Sequence, residues 1–389
     1  MESNASESAR QPIDEHDLVE ERRPSQLEKY FKAMIKADAS DLHLKSGSPV
    51  YFRSRTSLRA AKSEPLTSRD LWLLCQELLT VKQRAYLAEH GSIDVAYEIE
   101  GSDRFRINIY RQRGTLAIAV RRVTKQIKNI AELHLPPILD KIAEEGQGLV
   151  LLSGPTGCGK GTTIAAMIEH INQTRHCHIV TIEDPIEYLY DDKQALINQR
   201  EIGIDVESFD MALKYLMRED PDVVLIGEMR DRETFQAALQ AAETGHLVFG
   251  TVHASSAPQT IGRILDLMPS ESRDLVRNTL AFNLRAIVCQ KLLPSVRTGV
   301  DRVPAAEILL MNPSARQLII EARENELPDL IRAHERDGML SFTKSILELI
   351  EKDYVDPQVA YEMAPNVEEL KMMMKGISST HAGLMTRRH

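Results

Sequence analysis

The stretch LVLLSGPTGCGKGTT, residues 149–163, constrains the fold of this chain more than any other. Its apolar start, residues 149–152, predicts a buried parallel strand, and the residues from Thr162 onward predict a helix. A glycine-rich turn that ends in Lys160 lies between them. Strand, glycine loop and helix in this order are typical of a phosphate-binding P-loop, where backbone N–H groups and a helix N-terminus receive a polyphosphate.

This loop supplies the predicted contacts to a nucleotide. Lys160 provides a mobile positive charge for the β- and γ-phosphates, and the glycines allow the backbone to approach them closely. The predicted nucleotide-binding residues of the loop are Gly154, Pro155, Thr156, Gly157, Cys158, Gly159, Lys160, Gly161, Thr162 and Thr163.

One position departs from the G-x-x-x-x-G-K-[ST] pattern. The residue after the lysine normally carries a hydroxyl that holds Mg²⁺, and here it is Gly161. Thr162 carries the next hydroxyl, but it lies about 100° further round a helix, so it points elsewhere without a local shift. We expect nucleotide binding to tolerate this departure better than rapid hydrolysis does.

Bulk properties narrow the function classes. A chain of 389 residues with 43% hydrophobic residues predicts two or three domains, each with its own core. The net charge of −9 disfavours a protein that mainly coats nucleic acid, although a locally basic channel stays open. The four cysteines are far apart without a C-x-x-C pair, which disfavours a zinc site and fits a reducing cytoplasm. No apolar run has membrane-spanning length, so we expect membrane contact only through a partner or the surface.

The chain order predicts an α+β domain ahead of the P-loop. Residues 1–24 form a predicted disordered, acidic leader. Residues 25–123 show alternating segments, among them a hairpin pair at 93–99 and 104–110, and residues 124–135 form a predicted linker.

From residue 136 to 312 strands and helices alternate, which predicts a parallel α/β sheet. Within it we predict helices at 258–267 and 273–292, followed by a strand at 303–310. Residues 313–375 predict a small C-terminal helical appendage, and residues 376–389 a flexible tail.

Carboxylates follow two of the predicted strands. Glu183, Asp184 and Glu187 come just after the strand at 178–182, at the edge where parallel sheets bind ligands, so they are candidates to orient water or Mg²⁺. Glu228 ends the buried strand that begins at Asp222, as in a Walker-B strand, although glycine stands where its aspartate is usual. It is the natural group to polarise an attacking water. A solvated acidic loop and a simple strand cap are the alternatives.

Two further groups are candidates. His253 lies at the same predicted edge and is placed to sense a γ-phosphate, whereas His246, at the opposite end of its strand, is assigned a structural or interface role. Arginines are dense between residues 104 and 122, and alternation puts Arg104 and Arg106 on one face. This cluster is a charged edge, a nucleic-acid patch or a phosphate-facing group.

These motifs, taken in order, resemble the secretion-type AAA-like ATPases and, within them, the type IV pilus retraction family of PilT and PilU. The resemblance covers residues 26–361. The matching segments are residues 40–44, 104–108, 112–114, 154–163, 181–188, 198–201, 218–222, 227–231, 242–246 and 253–257.

The resemblance implies an α/β fold: a RecA-like P-loop ATPase core with an N-terminal PAS-like α+β domain and the C-terminal helical appendage. It implies ATP and Mg²⁺ as ligands and a homo-hexameric ring. Arg106 and Arg121, with Arg113 beside them, become arginine fingers at the nucleotide. The implied catalytic residues are Glu228, Glu183, Asp184, Arg106 and Arg121, the added nucleotide-binding residues are Arg113 and His253, and the implied metal-facing residues are Thr162, Glu183 and Glu187.

The same resemblance implies a role and a location. The ring would act in the cytoplasm, at the cytoplasmic face of the inner membrane, on a pilus platform protein and beside a paralogous retraction ATPase, without nucleic acid. Cys158 and Gly161 stand where the family usually has serine. Residues 314–321 depart from the A-I-R-N-L-I-R-E segment of PilT-type members, which, with the longer chain, favours PilU.

Two functions therefore stand side by side. The first is a motor that powers pilus retraction by hydrolysing ATP. The second, which Gly161 supports, is a nucleotide-binding but weakly hydrolysing accessory ring that assists a paralogous motor. A nucleic-acid motor with a RecA-like core is a third class, and the acidic balance counts against it.

Overall fold

The structure is a computed structural model that describes residues 26–54, 57–99, 102–123 and 125–376. The chain divides into two compact units, Met1–Val123 and Thr124–His389, and each is described by itself. The predicted leader, residues 1–24, and residues 377–389 of the predicted tail lie outside the described residues. Within the described ranges, every helix is too short or too polar to pass through a bilayer.

The first unit is built on a six-stranded antiparallel sheet with the strand order β3-β2-β1-β6-β5-β4. Its elements are α1 (Gln26–Lys36), β1 (Asp41–Lys45), β2 (Tyr51–Ser54), β3 (Ser57–Ala60), α2 (Ser68–Leu78), α3 (Val81–His90), β4 (Ser92–Glu98), β5 (Arg104–Gln112) and β6 (Thr115–Val123). The predicted hairpin is the pair β4 and β5. Strand β3 and helix α3 were not predicted from the sequence.

Alternation along β5 explains how this sheet is covered. Phe105, Ile107 and Ile109 are fully buried, and Arg104 and Arg106, which alternate with them, face the other side. Helix α1 contributes Phe31, whose ring stacks on Phe105 with the centroids 4.2 Å apart. One face of the sheet therefore forms the core of the unit, and the arginines are left on the opposite face.

The second unit contains a seven-stranded sheet with the order β13-β12-β7-β11-β10-β8-β9. All neighbours are parallel except β13, which runs antiparallel to β12 at one edge. The elements of this sheet and its helices are α4 (Ile138–Ala143), β7 (Gly148–Ser153), α5 (Lys160–Thr174), β8 (His178–Glu183), β9 (Leu196–Glu201), α6 (Phe209–Leu216), β10 (Val223–Ile226), α7 (Arg232–Glu243), β11 (Leu247–Val252), α8 (Ala257–Asp266), α9 (Arg273–Asn283), β12 (Leu284–Pro294) and β13 (Arg302–Leu310).

Helices cover both faces of this sheet. Residues on alternate sides of β7 belong to two different hydrophobic clusters, so that Leu149 and Leu151 pack on one side and Val150 and Leu152 on the other. Strands β7, β10 and β11 are accordingly buried along their whole length, as continuous apolar runs predict. The carboxyl ends of β7, β8, β10 and β11 meet at one edge of the sheet.

The predicted helix over residues 273–292 is wrong beyond Asn283. Helix α9 ends there, and β12 follows as a strand between β7 and β13. The reason is physical: residues buried on both faces form an apolar run without alternation, and such a run fits a buried helix as well as a central strand. Pairing with β7 decides between them. Strand β9, the polar edge strand beside β8, was not predicted either.

The C-terminal segment is helical. It comprises α10 (Pro313–Ile320), α11 (Leu327–Ala333), α12 (Phe342–Glu351), α13 (Pro357–Met363) and α14 (Val367–Met374). Ile319, Ile331 and Ile346 are fully buried in the hydrophobic cluster that also contains Leu149 of β7. These helices therefore share the core of the second unit.

Gly148 tests the pairing of β7 with β12. Its φ is +113°, and an added Cβ atom would lie 2.6 Å from the Asn283 carbonyl oxygen. We expect Gly148→Ala to lower the free energy of unfolding by about 2–3 kcal/mol, because strained backbone and a steric overlap add up. Gly146→Ala is the matched control, since a Cβ atom there meets nothing within 4 Å. Equal denaturation midpoints for the two variants would contradict the pairing described here.

Candidate nucleotide-binding site

The predicted P-loop connects β7 to α5 in the structure. Gly157 and Gly159 have φ angles of +77° and +91°, which side-chain-bearing residues adopt only at a cost. Gly159 is the N-cap of α5, a helix of 15 residues, so the loop ends at a helix N-terminus. The free N–H groups and positive dipole end of α5 thus face the space above the loop.

Lys160 lies over its own loop. Its Nζ donates hydrogen bonds to the carbonyl oxygens of Gly154, at 2.8 Å, and Pro155, at 3.2 Å. These neutral acceptors hold the ammonium at the loop, where a bound phosphate would compete for it as a charged and stronger acceptor.

The loop opens on a cavity of about 410 Å³ at the carboxyl edge of the sheet. Residues that follow β7, β8, β10 and β11 line it together, and all the lining residues belong to the second unit. The predicted site residues that line this cavity are Thr156, Gly157, Gly159, Lys160, Gly161, Thr162, Glu183, Asp184, Glu187, Glu228 and His253.

Glu228, just beyond β10, is held by two basic groups. The Arg230 guanidinium contacts it through two N···O pairs of 2.5 Å each, and His253 Nε2 lies 3.0 Å from its Oε1. The hydrogen bond from Arg230, aided by His253, holds the pKa of the Glu228 carboxyl below its usual range. Glu228 is therefore ionised at neutral pH and able to accept a hydrogen bond from a water molecule.

Glu183, the last residue of β8, is in a different environment. It is buried, and its Oε1 accepts hydrogen bonds from Thr181 Oγ1 at 2.7 Å and Gln199 Nε2 at 3.2 Å. Burial raises the pKa of the Glu183 carboxyl to about 7, against those hydrogen bonds. Asp184 and Glu187, further along the same loop, are exposed. The loop thus presents one buried and two solvent-facing carboxyl groups.

Glu187 lies against the unusual glycine of the P-loop. A Cβ atom built on Gly161 would overlap the Oε2 atom of Glu187 and lie 3.2 Å from its Cδ. Thr162, the other hydroxyl candidate, has its Oγ1 2.8 Å from the Tyr188 hydroxyl. The space beside residue 161 therefore contains a carboxylate.

The donor set fits a magnesium ion that arrives with a nucleotide. In the part of the chain that the structure describes, no three histidine, cysteine, aspartate or glutamate side chains are grouped to hold a metal ion by themselves. Mg²⁺ in nucleotide sites is usually held by one or two carboxylates together with the substrate phosphates. Of the four carboxyl groups that line the cavity, that of Glu187 lies beside residue 161 and that of Glu183 lies behind it.

Gln290 is a site residue that the sequence analysis missed. It is 3% exposed, and its Nε2 donates to the Cys158 carbonyl oxygen at 2.7 Å. Its Oε1 accepts from Thr163 Oγ1, also at 2.7 Å. These two hydrogen bonds link the sheet to the P-loop at Cys158 and to the start of α5 at Thr163. The incorrect prediction of a helix over residues 284–292 concealed this brace, because Gln290 lies on β12.

The predicted arginine fingers belong to the first unit. Arg106 and Arg121 are register partners on β5 and β6, and their side chains are 35% and 70% exposed. Asp94 lies 4.0 Å from Arg106, and Asp41 lies 2.9 Å from Arg121. Arg113, with a φ of +48°, sits in the turn between these strands. Their role at a nucleotide stays a prediction.

His246 precedes β11 at the opposite end from His253. Its Nδ1 is 2.9 Å from the Ala241 carbonyl oxygen, at the end of α7. This contact joins His246 to the end of α7, and the structural or interface role assigned to it from the sequence stays a prediction.

Fold and site together define a P-loop nucleotide-binding protein, and comparisons identify its family. The model of the family described as "Type II/IV secretion system protein" matches residues 17–308. The Pseudomonas aeruginosa type IV pilus retraction ATPase PilT is 38% identical over 85% of this chain and 95% of its own length. The type IV pilus ATPase PilU of the same organism is 35% identical over 90% of this chain and 91% of its own.

A solved structure agrees with these relatives. The crystal structure of the pilus retraction motor PilT with bound ADP has a TM-score of 0.83 and 40% identity, over 90% of this chain and all of that one. The chain belongs to the type II/IV secretion system protein family, with the α/β ATPase fold of its pilus members. PilT is slightly more identical and PilU covers slightly more of the chain, so the comparisons do not separate the two groups.

Gln290 offers a direct test of the brace. We expect Gln290→Leu to weaken ATP binding at least about tenfold and to destabilise the chain by about 2 kcal/mol, because it leaves buried polar groups of Cys158 and Thr163 unpartnered. Calorimetric titration with ATP and thermal unfolding measure the two effects. Gln236→Leu, at an exposed position of α7, is the control. Unchanged ATP affinity in Gln290→Leu would remove Gln290 from the site.

Proposed function

We propose that this chain is an ATPase that powers type IV pilus retraction. The observation that carries the proposal is that the P-loop, Glu228, His253 and the 183–187 carboxylates line one cavity. The relatives support the biological role, because the chain spans nearly the whole length of a pilus retraction ATPase.

The proposed chemistry assigns a task to each group. The N-terminus of α5 and Lys160 stabilise the negative charge of the β- and γ-phosphates. Glu228, ionised and held by Arg230 and His253, orients the attacking water and accepts its proton. His253, bound to Glu228, would couple the presence of the γ-phosphate to the position of the residues that follow β11. Mg²⁺, when bound, neutralises the phosphate oxygens, and Glu183, Glu187 and Thr162 are the residues proposed to face it.

The assembly is also part of the proposal. We propose a homo-hexamer in which a PAS-like domain, residues 25–123, is joined by a linker, residues 124–135, to the RecA-like core, residues 136–312, and the helical appendage, residues 313–375. ATP and ADP would favour different domain arrangements, and this difference would drive the stroke. The proposed partners are an inner-membrane platform protein and a paralogous retraction ATPase, at the cytoplasmic face of the membrane, without nucleic acid.

The placement of Arg106 and Arg121 supports their role as arginine fingers. Two like charges opposite each other on neighbouring strands destabilise a sheet. Asp94 and Asp41 offset part of that repulsion. A phosphate anion brought to this face would offset more of it, which is a reason for placing two arginines there.

A second candidate function follows from Gly161. An accessory ring would bind ATP through the same loop but hydrolyse it slowly, because the usual metal-binding hydroxyl is absent from residue 161. The turnover rate decides between the two functions.

Steady-state ATP hydrolysis with Mg²⁺ separates motor from accessory ring. In a motor, Glu228→Gln should lower the hydrolysis rate about 10²–10⁴-fold while ATP still binds, because the base is lost and the phosphate contacts stay. Lys160→Ala should weaken ATP binding itself. A parent protein that binds ATP tightly but hydrolyses it no faster than Glu228→Gln would leave only the accessory ring.

A second experiment tests the arginines. We expect Arg106→Gln and Arg121→Gln each to lower the hydrolysis rate about 10³-fold, the lower end for arginine fingers, with little loss of stability. Arg122→Gln is the matched contrast. Its guanidinium pairs with Asp103 at 2.5 Å and Asp38 at 3.2 Å, so its loss should lower the unfolding temperature and leave the turnover of the folded protein unchanged. Equal hydrolysis rates in all three variants would remove the finger role.

A further inference from the structure

The backbone conformation at residue 161 does not require glycine. Unlike Gly159, which has a φ of +91°, Gly161 has no left-handed φ and lies in the first turn of α5. Alanine or serine would suit such a helical position better than glycine. The reason for glycine is therefore to be found in what surrounds the residue.

The surroundings supply one specific obstacle. The three atoms nearest to a Cβ atom on Gly161 are Oε2, Cδ and Oε1 of Glu187, and all belong to a single carboxyl group. This group thus occupies the space in which the side chain of a serine or threonine at residue 161 would lie. Gly161 and Glu187 are complementary: the missing side chain on one makes room for the carboxylate of the other.

Thr162 is less well placed to replace the missing hydroxyl. Its Oγ1 lies 2.8 Å from the Tyr188 hydroxyl, in a partly buried contact. To turn toward the space at residue 161, Thr162 would have to give up this partner. Glu187 is already there, and its side chain is exposed on the cavity side.

We propose that Glu187 supplies, to the Mg²⁺ of bound Mg-ATP, the protein oxygen that the residue after the P-loop lysine normally supplies. This inference rests on the proposed function in so far as the ligand is Mg-ATP. Carboxylate oxygen is a hard, charged donor of the kind that Mg²⁺ prefers, so it can take the place of the neutral hydroxyl oxygen. On this proposal Gly161 contributes to the metal site because its lack of a side chain leaves room for the Glu187 carboxylate.

The test measures binding rather than turnover. The affinity for a fluorescent ATP analogue is determined with Mg²⁺ and with EDTA, and the ratio of the two affinities gives the magnesium contribution. We expect Glu187→Gln to lower this ratio at least about tenfold, since even outer ligands of metal sites have effects of that size. Gly161→Ala should do the same, because its methyl group displaces the carboxylate and offers no oxygen.

Gly161→Ser provides the decisive arm. The serine hydroxyl would occupy the space of the Glu187 carboxylate and would itself supply an oxygen to Mg²⁺. The magnesium contribution should therefore return to within about threefold of the parent value. When Glu187→Gln is added to Gly161→Ser, the magnesium contribution should fall only slightly. The control is Glu207→Gln, at an exposed position outside the cavity, and it should not change the ratio more than about twofold.

Several results would overturn the inference. An equal effect of Glu187→Gln in the glycine and serine backgrounds would separate Glu187 from residue 161. An unchanged ratio in Gly161→Ala would also contradict it. ATP binding in EDTA distinguishes this outcome from failure of the proposed function. If ATP binds but the ratio is the same in all variants, only the inference is wrong. If ATP binds in neither buffer, both the inference and the proposed function are wrong.

Discussion

The site depends on the burial of β7 on both faces. Because Leu149 and Leu151 pack into one cluster and Val150 and Leu152 into the other, the strand has no freedom to shift by one residue. The chain must then leave the sheet at its carboxyl edge, where β8, β10 and β11 end as well. Phosphate-binding backbone and acidic side chains meet there because hydrophobic packing fixes four strand ends together.

The charged side chains at this edge of the sheet are arranged to receive a ligand that carries both a phosphate and a cation. Glu183, Glu187 and Glu228 line the same cavity as the single P-loop lysine. The protein handles them differently: Glu228 is stabilised as an anion by Arg230, whereas burial raises the pKa of Glu183 to about 7. A phosphate with its cation would bring the missing positive charge to the carboxylates and the missing negative charge to Lys160.

Local patterns predicted much of this from the sequence. The glycine loop after an apolar run, Glu228 after a second run and the alternation in residues 104–110 each depend on near neighbours, and these parts of the fold were confirmed. Residues 284–294 were not predictable in this way, because an apolar run buried on both sides has no period. The contacts of Gln290 with the P-loop and of Glu187 with Gly161 join residues that only the assembled sheet brings together.

The altered C-terminal segment can be interpreted in the same physical terms. In α10, Arg316 donates to the Ala281 carbonyl oxygen of α9, and Arg277 of α9 donates to that of Ile319. Arg316 and Ile319 match the A-I-R-N-L-I-R-E pattern, so these two contacts do not depend on the altered positions. The motif's second arginine is replaced by Ile320, which packs at the edge of the core. The difference within this segment therefore lies in the charge that α10 presents at residue 320.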